Sequence, residues 1–139
     1  MIGFPDKKLV QILVFSVPVL VIDQVTKRVA TQYFPVACNS GGPFGLDFEP
    51  LVLSVLTLLL FGYLIGAESK KLRIFGYSLI IAGGVSNLLD RLIYGCVRDF
   101  ISLTHVFPTF NLADFILTLG VLVVLYDALK SRKVTQNET

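Results

Sequence analysis

Residues 50–67 run for 18 positions without a charged side chain. As a helix, such a stretch rises about 27 Å, close to the roughly 30 Å hydrocarbon thickness of a bilayer. A chain of 139 residues has little interior in which to hide it. Three more apolar blocks occupy residues 9–22, 74–89 and 115–126. Each nears the roughly 20 residues that a span requires only by taking in an acid at one end, namely Asp23, Asp90 and Asp114. The spans so defined are about 9–30, 50–67, 74–92 and 110–129. Pro18 falls inside the first, which transmembrane helices tolerate. Charged residues make up 16% of the chain, against about 25% in a soluble domain. The expected fold is an all-α membrane protein of four transmembrane helices, residues 1–139 forming one domain.

The net charge of +2 arises from 12 basic and 10 acidic residues scattered between apolar blocks, so no basic face exists for nucleic acid. The same cations set the orientation. Lys7, Lys8, Lys70, Lys71, Arg73, Lys130, Arg132 and Lys133 flank one side, whereas Lys27, Arg28, Arg91 and Arg98 fall on the other. The positive-inside rule puts both termini in the cytoplasm and makes the segments near 31–49 and 93–110 outward-facing. A cleaved signal peptide at residues 7–22, with Val36-Ala37-Cys38 as a faint lipoprotein-like cleavage site, is a competing reading. It leaves three hydrophobic blocks unexplained and interposes Asp23, Lys27 and Arg28.

Charges inside spans are costly and mark functional sites. Asp23 and Lys27 lie in the first span, Asp90 and Arg91 in the third, and Asp114 in the fourth. The alternating topology brings all five to the outer face, beside Asp99 on the adjoining segment. Asp23 and Lys27 stand at i, i+4 with the acid first, the favourable order. Asn87, Asp90 and Arg91 share one helical face, as do Asn111 and Asp114. Gly83 and Gly84 allow close approach of another backbone. The pairs Asp23–Lys27 and Asp90–Arg91 are equally readable as mutual neutralisation. Asp114 has no basic residue within one turn, and Arg98, next in sequence to Asp99, points elsewhere.

Two carboxylates brought together share a proton. The ionised member takes a proton from water, while the protonated one polarises a carbonyl and later protonates a leaving amine. A proton-coupled carrier built on the same acids remains open at this point. Cys38 and Cys96 have no metal-ligand spacing and the single His105 cannot complete a metal site. The cysteines are expected to be small semi-buried apolar residues, with a disulfide left open because both fall on the outer side. His105 is expected in a solvated loop.

Five motifs in order along nearly the whole chain resemble the lipoprotein signal peptidase (signal peptidase II) family of bacterial intramembrane aspartyl peptidases. They are Asp23-Gln24-Val25-Thr26-Lys27, Asn39-Ser40-Gly41-Gly42-Pro43-Phe44-Gly45, Gly83-Gly84-Val85-Ser86-Asn87-Leu88-Leu89-Asp90-Arg91, Val97-Arg98-Asp99-Phe100-Ile101 and Phe110-Asn111-Leu112-Ala113-Asp114. The resemblance implies Asp99 and Asp114 as the catalytic dyad. It implies Asn39, Gly41, Asn87, Arg91 and Asn111 as substrate-binding residues, with Asp23, Lys27, Gly84, Asp90 and Ala113 as support. It further implies cleavage of a diacylglyceryl-modified prolipoprotein before its lipidated Cys, at the outer face of the bacterial inner membrane. No metal and no cofactor is implied. Membrane lipid is the surrounding partner, and nothing demands more than a monomer. A small, partly β, outward-facing segment is expected between the first and second helices.

The sequence departs from the family pattern at Pro43 for a usual Ala, at Ser86 for a usual Gly, and at Arg98 for a usual aliphatic residue beside Asp99. Arg98 in that place is expected to lower the Asp99 pKa. These departures, with the short outer segments, keep an inactive prolipoprotein-binding relative as a further alternative.

Overall fold

The computed structural model describes residues 7–41, 70–103 and 108–137, and positions 52, 54–56, 58, 59, 62 and 63 between them. Gly42, Pro43, Phe44, Gly45 and His105 lie outside the described residues, as does much of the 50–67 run, whose described positions are helical. Among the described residues, three helices are long and apolar enough to cross a membrane. They are α1 (Lys7–Tyr33), α2 (Lys71–Tyr94, the third apolar block) and α3 (Leu112–Asn137, apolar through Ser131).

The observed helices outrun the expected spans because the backbone ladder continues into the polar flanks. The exception is the start of α3, expected near 110. Phe110 instead bridges Ile101 in antiparallel fashion, and Asn111 caps the helix, so α3 begins at Leu112. Pro18 is accommodated within α1.

α2 is the central element. Its apolar stretch is 56% buried, against 11% for α1 and for α3. Apolar side chains facing outward along α1 and α3 suit a lipid solvent. Two glycines let α2 and α3 approach backbone to backbone. A Cβ at Gly83 would lie 2.5 Å from the Ala113 carbonyl oxygen, and one at Gly120 would lie 2.6 Å from the Gly76 carbonyl oxygen. Tyr77 and Ile80 of α2 form the core there, covered by Ile12, Ile81, Leu117, Val121 and Val124. On the other side, Ser16 Oγ donates to the Ser78 carbonyl (2.9 Å), and Phe15 meets Phe75 edge to face. The far end of the bundle is clamped by Arg73 on Asp127 (2.7 Å). Gly84 differs from Gly83: it faces the Leu58 side chain rather than a backbone.

The other end carries the β structure. Gly95 ends α2 in the left-handed region (φ 76°), and its N–H donates to the Arg91 carbonyl. This conformation suits glycine and turns the chain at once into β2 (Val97–Asp99). β2 pairs antiparallel with β1 (Ala37–Asn39), with Ala37 opposite Asp99 and Asn39 opposite Val97. The expected β segment after the first helix is therefore only half of the sheet. Its partner follows α2, because three-residue strands need a second backbone to satisfy their polar groups. Cys38 and Cys96 pair as a disulfide with Cα atoms 5.4 Å apart, which replaces the expectation of two separate apolar thiols.

Candidate functional site

The start of α3 organises the site. Asn111 Oδ1 accepts from the Asp114 N–H (3.0 Å), and Asp114 Oδ2 accepts from the Asn111 N–H (3.1 Å). This is a reciprocal capping arrangement of the kind that satisfies free N–H groups at helix starts. A third free N–H, that of Ala113, donates to Asp23 Oδ1 of α1 (2.7 Å). Three positions of the fifth motif thus have a plain local reason for their spacing.

The Asn111 side chain, fully buried, also faces β2. Its Nδ2 donates to Asp99 Oδ1 (2.7 Å) and to Asn87 Oδ1 (3.2 Å). Asn87 Nδ2 in turn donates to Asp114 Oδ1 (2.7 Å), and Asn39 Nδ2 donates from β1 to Asp99 Oδ2 (3.1 Å). Asp99 and Asp114 are therefore both bound to one residue, and each has an amide donor on both oxygens. Their settings differ. Asp99 is 1% exposed, whereas Asp114 is half-buried. Burial pushes the Asp99 carboxyl above its ordinary range, the amides of Asn39 and Asn111 pull it back, and the nearby Asp114 charge pushes it up again.

Behind the acids lies a buried ionic cluster. Lys27 Nζ contacts Asp23 (2.8 Å), Asn87 Oδ1 (2.8 Å) and Asp90 (3.3 Å), which uses its three hydrogens. Ser86 Oγ donates to Asp23 Oδ2 (2.5 Å). Gln24 Nε2 reaches Ser86 Oγ (2.8 Å) and Asp90 Oδ1 (3.0 Å). Ser86, the departure from the usual Gly, thus supplies a donor to an acid that lies in the span. Gln24 is a site residue that the sequence reading does not single out, although it sits inside the first motif; a polar residue next to an acid within the span was the available signal.

Arg98 turns away from Asp99. Its Nη2 reaches Asp90 Oδ1 (2.8 Å) and Gln24 Oε1 (3.0 Å), its Nε reaches Asp90 Oδ2 (3.2 Å), and the guanidinium stacks 4.1 Å above the Tyr94 ring. The Arg98 backbone N–H also donates to Asp90 Oδ2 (3.0 Å). The expected lowering of the Asp99 pKa by Arg98 is overturned: successive strand residues face opposite sides, and Asp99 is raised. Asp90 likewise pairs with Lys27 and Arg98, rather than with its sequence neighbour Arg91. Arg91 Nη1 donates to Ser54 Oγ (3.2 Å), while its Nε is buried without a partner among the described residues. Arg91 lies within electrostatic reach of Asp114, Asp99 and Asp90. A Cβ at Gly41 would meet the Asn39 side chain, and one at Gly84 would meet Leu58. Among the described residues, no group of three His, Cys, Asp or Glu side chains is arranged to hold a metal ion.

The model of the signal peptidase II family matches residues 15–130, a stretch that holds every residue of this site. The chain belongs to the signal peptidase II family. Curated relatives include the lipoprotein signal peptidase of Caldicellulosiruptor bescii, 36% identical over 128 residues that cover 79% of this chain and 85% of that protein. That of Staphylococcus carnosus is 33% identical over 148 residues, covering 86% and 93%. A solved bacterial membrane enzyme superposes with a TM-score of 0.77 at 26% identity, covering 92% of this chain and 91% of its own. Membership in this family and three apolar helices make the chain a membrane protein. For a signal peptidase II chain, the cluster at the mouth of α1, α2 and α3 is the candidate active site.

Proposed function

We propose that this protein is an aspartyl endopeptidase that removes the signal peptide of diacylglyceryl-modified prolipoproteins, cutting before the lipidated Cys. The observation that carries the reading is Asn111, which holds Asp99 through its side chain and Asp114 through its backbone N–H. Asp99, buried and raised in pKa, carries the shared proton. Half-buried Asp114 is the member that meets water.

In the first step Asp114 takes a proton from water as the water oxygen bonds to the scissile carbonyl carbon. Asp99 gives its proton to the carbonyl oxygen. In the second step the tetrahedral diol collapses: the C–N bond breaks, Asp114 returns its proton to the leaving nitrogen, and a diol hydroxyl returns one to Asp99. Each acid ends as it began. Asn87 and Asn111 fix the acids, and the Nε of Arg91, without a partner among the described residues, is a donor for a substrate carbonyl.

The apolar helix faces give the lipid arm of the substrate a path from the bilayer. In this reading, the 50–67 run supplies a fourth span, both termini are cytoplasmic, the membrane is the bacterial inner membrane, and a monomer suffices. Full-length protein incubated with lipidated prolipoprotein tests the assignment. Asp99→Asn and Asp114→Asn are each expected to abolish release of the signal peptide while leaving the helical content unchanged. Turnover by either variant at the wild-type rate rejects the dyad, and substrate binding without cleavage by the wild type identifies an inactive relative.

A further inference from the structure

A cleft of about 270 Å³ opens on the face shared by α1 and the end of α2, across the buried cluster from the candidate dyad. One wall is the apolar ridge of Leu20, Val21 and Val25, which leads to Arg28. The floor is Gln24 and Arg98, with Tyr94 at the rim. The floor groups are committed elsewhere. Arg98 is tied to Asp90 and stacked on Tyr94, and Gln24 bonds to Ser86, Asp90 and Arg98. Within the cluster, the two acids Asp23 and Asp90 balance the two cations Lys27 and Arg98. Arg28 is left over. It is exposed, and among the described residues its guanidinium makes no hydrogen bond or ion pair.

We propose that this cleft holds one anionic phospholipid, with its phosphate on Arg28 and the first part of an acyl chain along Val25, Val21 and Leu20. The polarity gradient fits one lipid molecule. From Arg28 to Leu20 is about 12 Å along the helix axis at 1.5 Å per residue, running from the span end toward its middle. The cation sits where a headgroup phosphate lies, the apolar ridge sits where the chain lies, and exposed Tyr94 stands at interface depth. A net-anionic headgroup is selected over a zwitterionic one because, among the described residues, the cleft offers one uncompensated positive charge and no acid to match a choline or an ammonium.

The test uses full-length protein in nanodiscs of equal parts dioleoyl-phosphatidylglycerol and dioleoyl-phosphatidylcholine, with retained lipids counted by native mass spectrometry. The wild type is expected to keep about fivefold more phosphatidylglycerol than phosphatidylcholine, the ratio that one cation near a membrane surface supports. Arg28→Gln brings the ratio near parity. Lys130→Gln, which removes an exposed cation at the opposite end of the bundle, leaves it unchanged. Neither inorganic phosphate nor glycerol phosphate displaces the lipid, because neither fills the apolar wall. An excess that survives Arg28→Gln, that falls equally in Lys130→Gln, or that is displaced by the free phosphates overturns the proposal.

Discussion

Lys27→Met would remove the only ammonium among groups that are all buried. Lys27, Asp23 and Asp90 are each 0% exposed. Without the ammonium, Asp90 keeps Arg98 and Gln24, but among the described residues Asp23 keeps only the Ser86 hydroxyl and the Ala113 N–H. Two acids then face one guanidinium, so one negative charge is left buried and uncompensated. Stranding a buried partner in this way costs about 3–5 kcal/mol. Asp23→Asn in the same chain restores neutrality and keeps an acceptor for the Ala113 N–H. The double variant should therefore lose only about 1–2 kcal/mol, the scale of imperfectly replaced hydrogen bonds. The difference between the two variants, about 2–3 kcal/mol, is the measurable signature of the stranded charge. Equilibrium unfolding by SDS in mixed micelles, followed by far-UV circular dichroism, gives each value. A Lys27→Met loss below about 1 kcal/mol refutes the reasoning, because no buried charge could then have been stranded. A double variant no more stable than Lys27→Met refutes it also.

The raised Asp99 carboxyl sets a pH dependence with a definite sign. A folded value above the unfolded one, about 3.9, means that the folded chain holds a proton longer, so the Asp99 contribution is lost as pH rises through its raised value. Wild type should lose stability relative to Asp99→Asn as pH rises from the ordinary carboxylate range through the raised Asp99 value in the same SDS titration, and equal slopes for the two would contradict the shift. Replacing both Cys38 and Cys96 by Ser opens a link across 58 residues of sequence separation and should cost about 2–4 kcal/mol. Because Cys38 adjoins Asn39, cleavage by that variant should show a raised KM, and an unchanged KM would separate the disulfide from Asn39 placement. Gly83→Ala puts a Cβ 2.5 Å from the Ala113 carbonyl oxygen and 3.0 Å from Leu117 Cβ, so thermal unfolding in detergent should show a loss of about 1–3 kcal/mol. Gly84→Ala meets, among the described residues, only the Leu58 side chain at 3.3 Å and should lose less; the reverse order would refute the close helix approach.

Hydropathy and run length made three of the spans legible, because in a bilayer a long apolar run must satisfy its own backbone. The paired β strands were legible only by half: β1 and β2 are separated by more than fifty residues, and three-residue strands leave no alternation to read. The same limit applied to the ions. Spacing correctly joined Asp23 to Lys27, which are one turn apart on α1. It did not foresee that Asp90 would bypass Arg91 for Lys27 and Arg98, since those partners come from another helix and from a strand. Arg98 shows why neighbours in sequence mislead here. Its charge adjoins that of Asp99 along the chain, yet the strand pleat sends the two side chains to opposite faces, one to the ionic cluster and the other to the candidate dyad. The consequence joins fold to function. Asp90 holds the Arg98 backbone and side chain together, and the next residue on that strand is Asp99. Asp23 holds the Ala113 N–H, and the next residue on that helix is Asp114. Each acid of the candidate dyad is thus placed by a buried acid acting on the residue before it, and Lys27, in contact with both buried acids, couples the two placements.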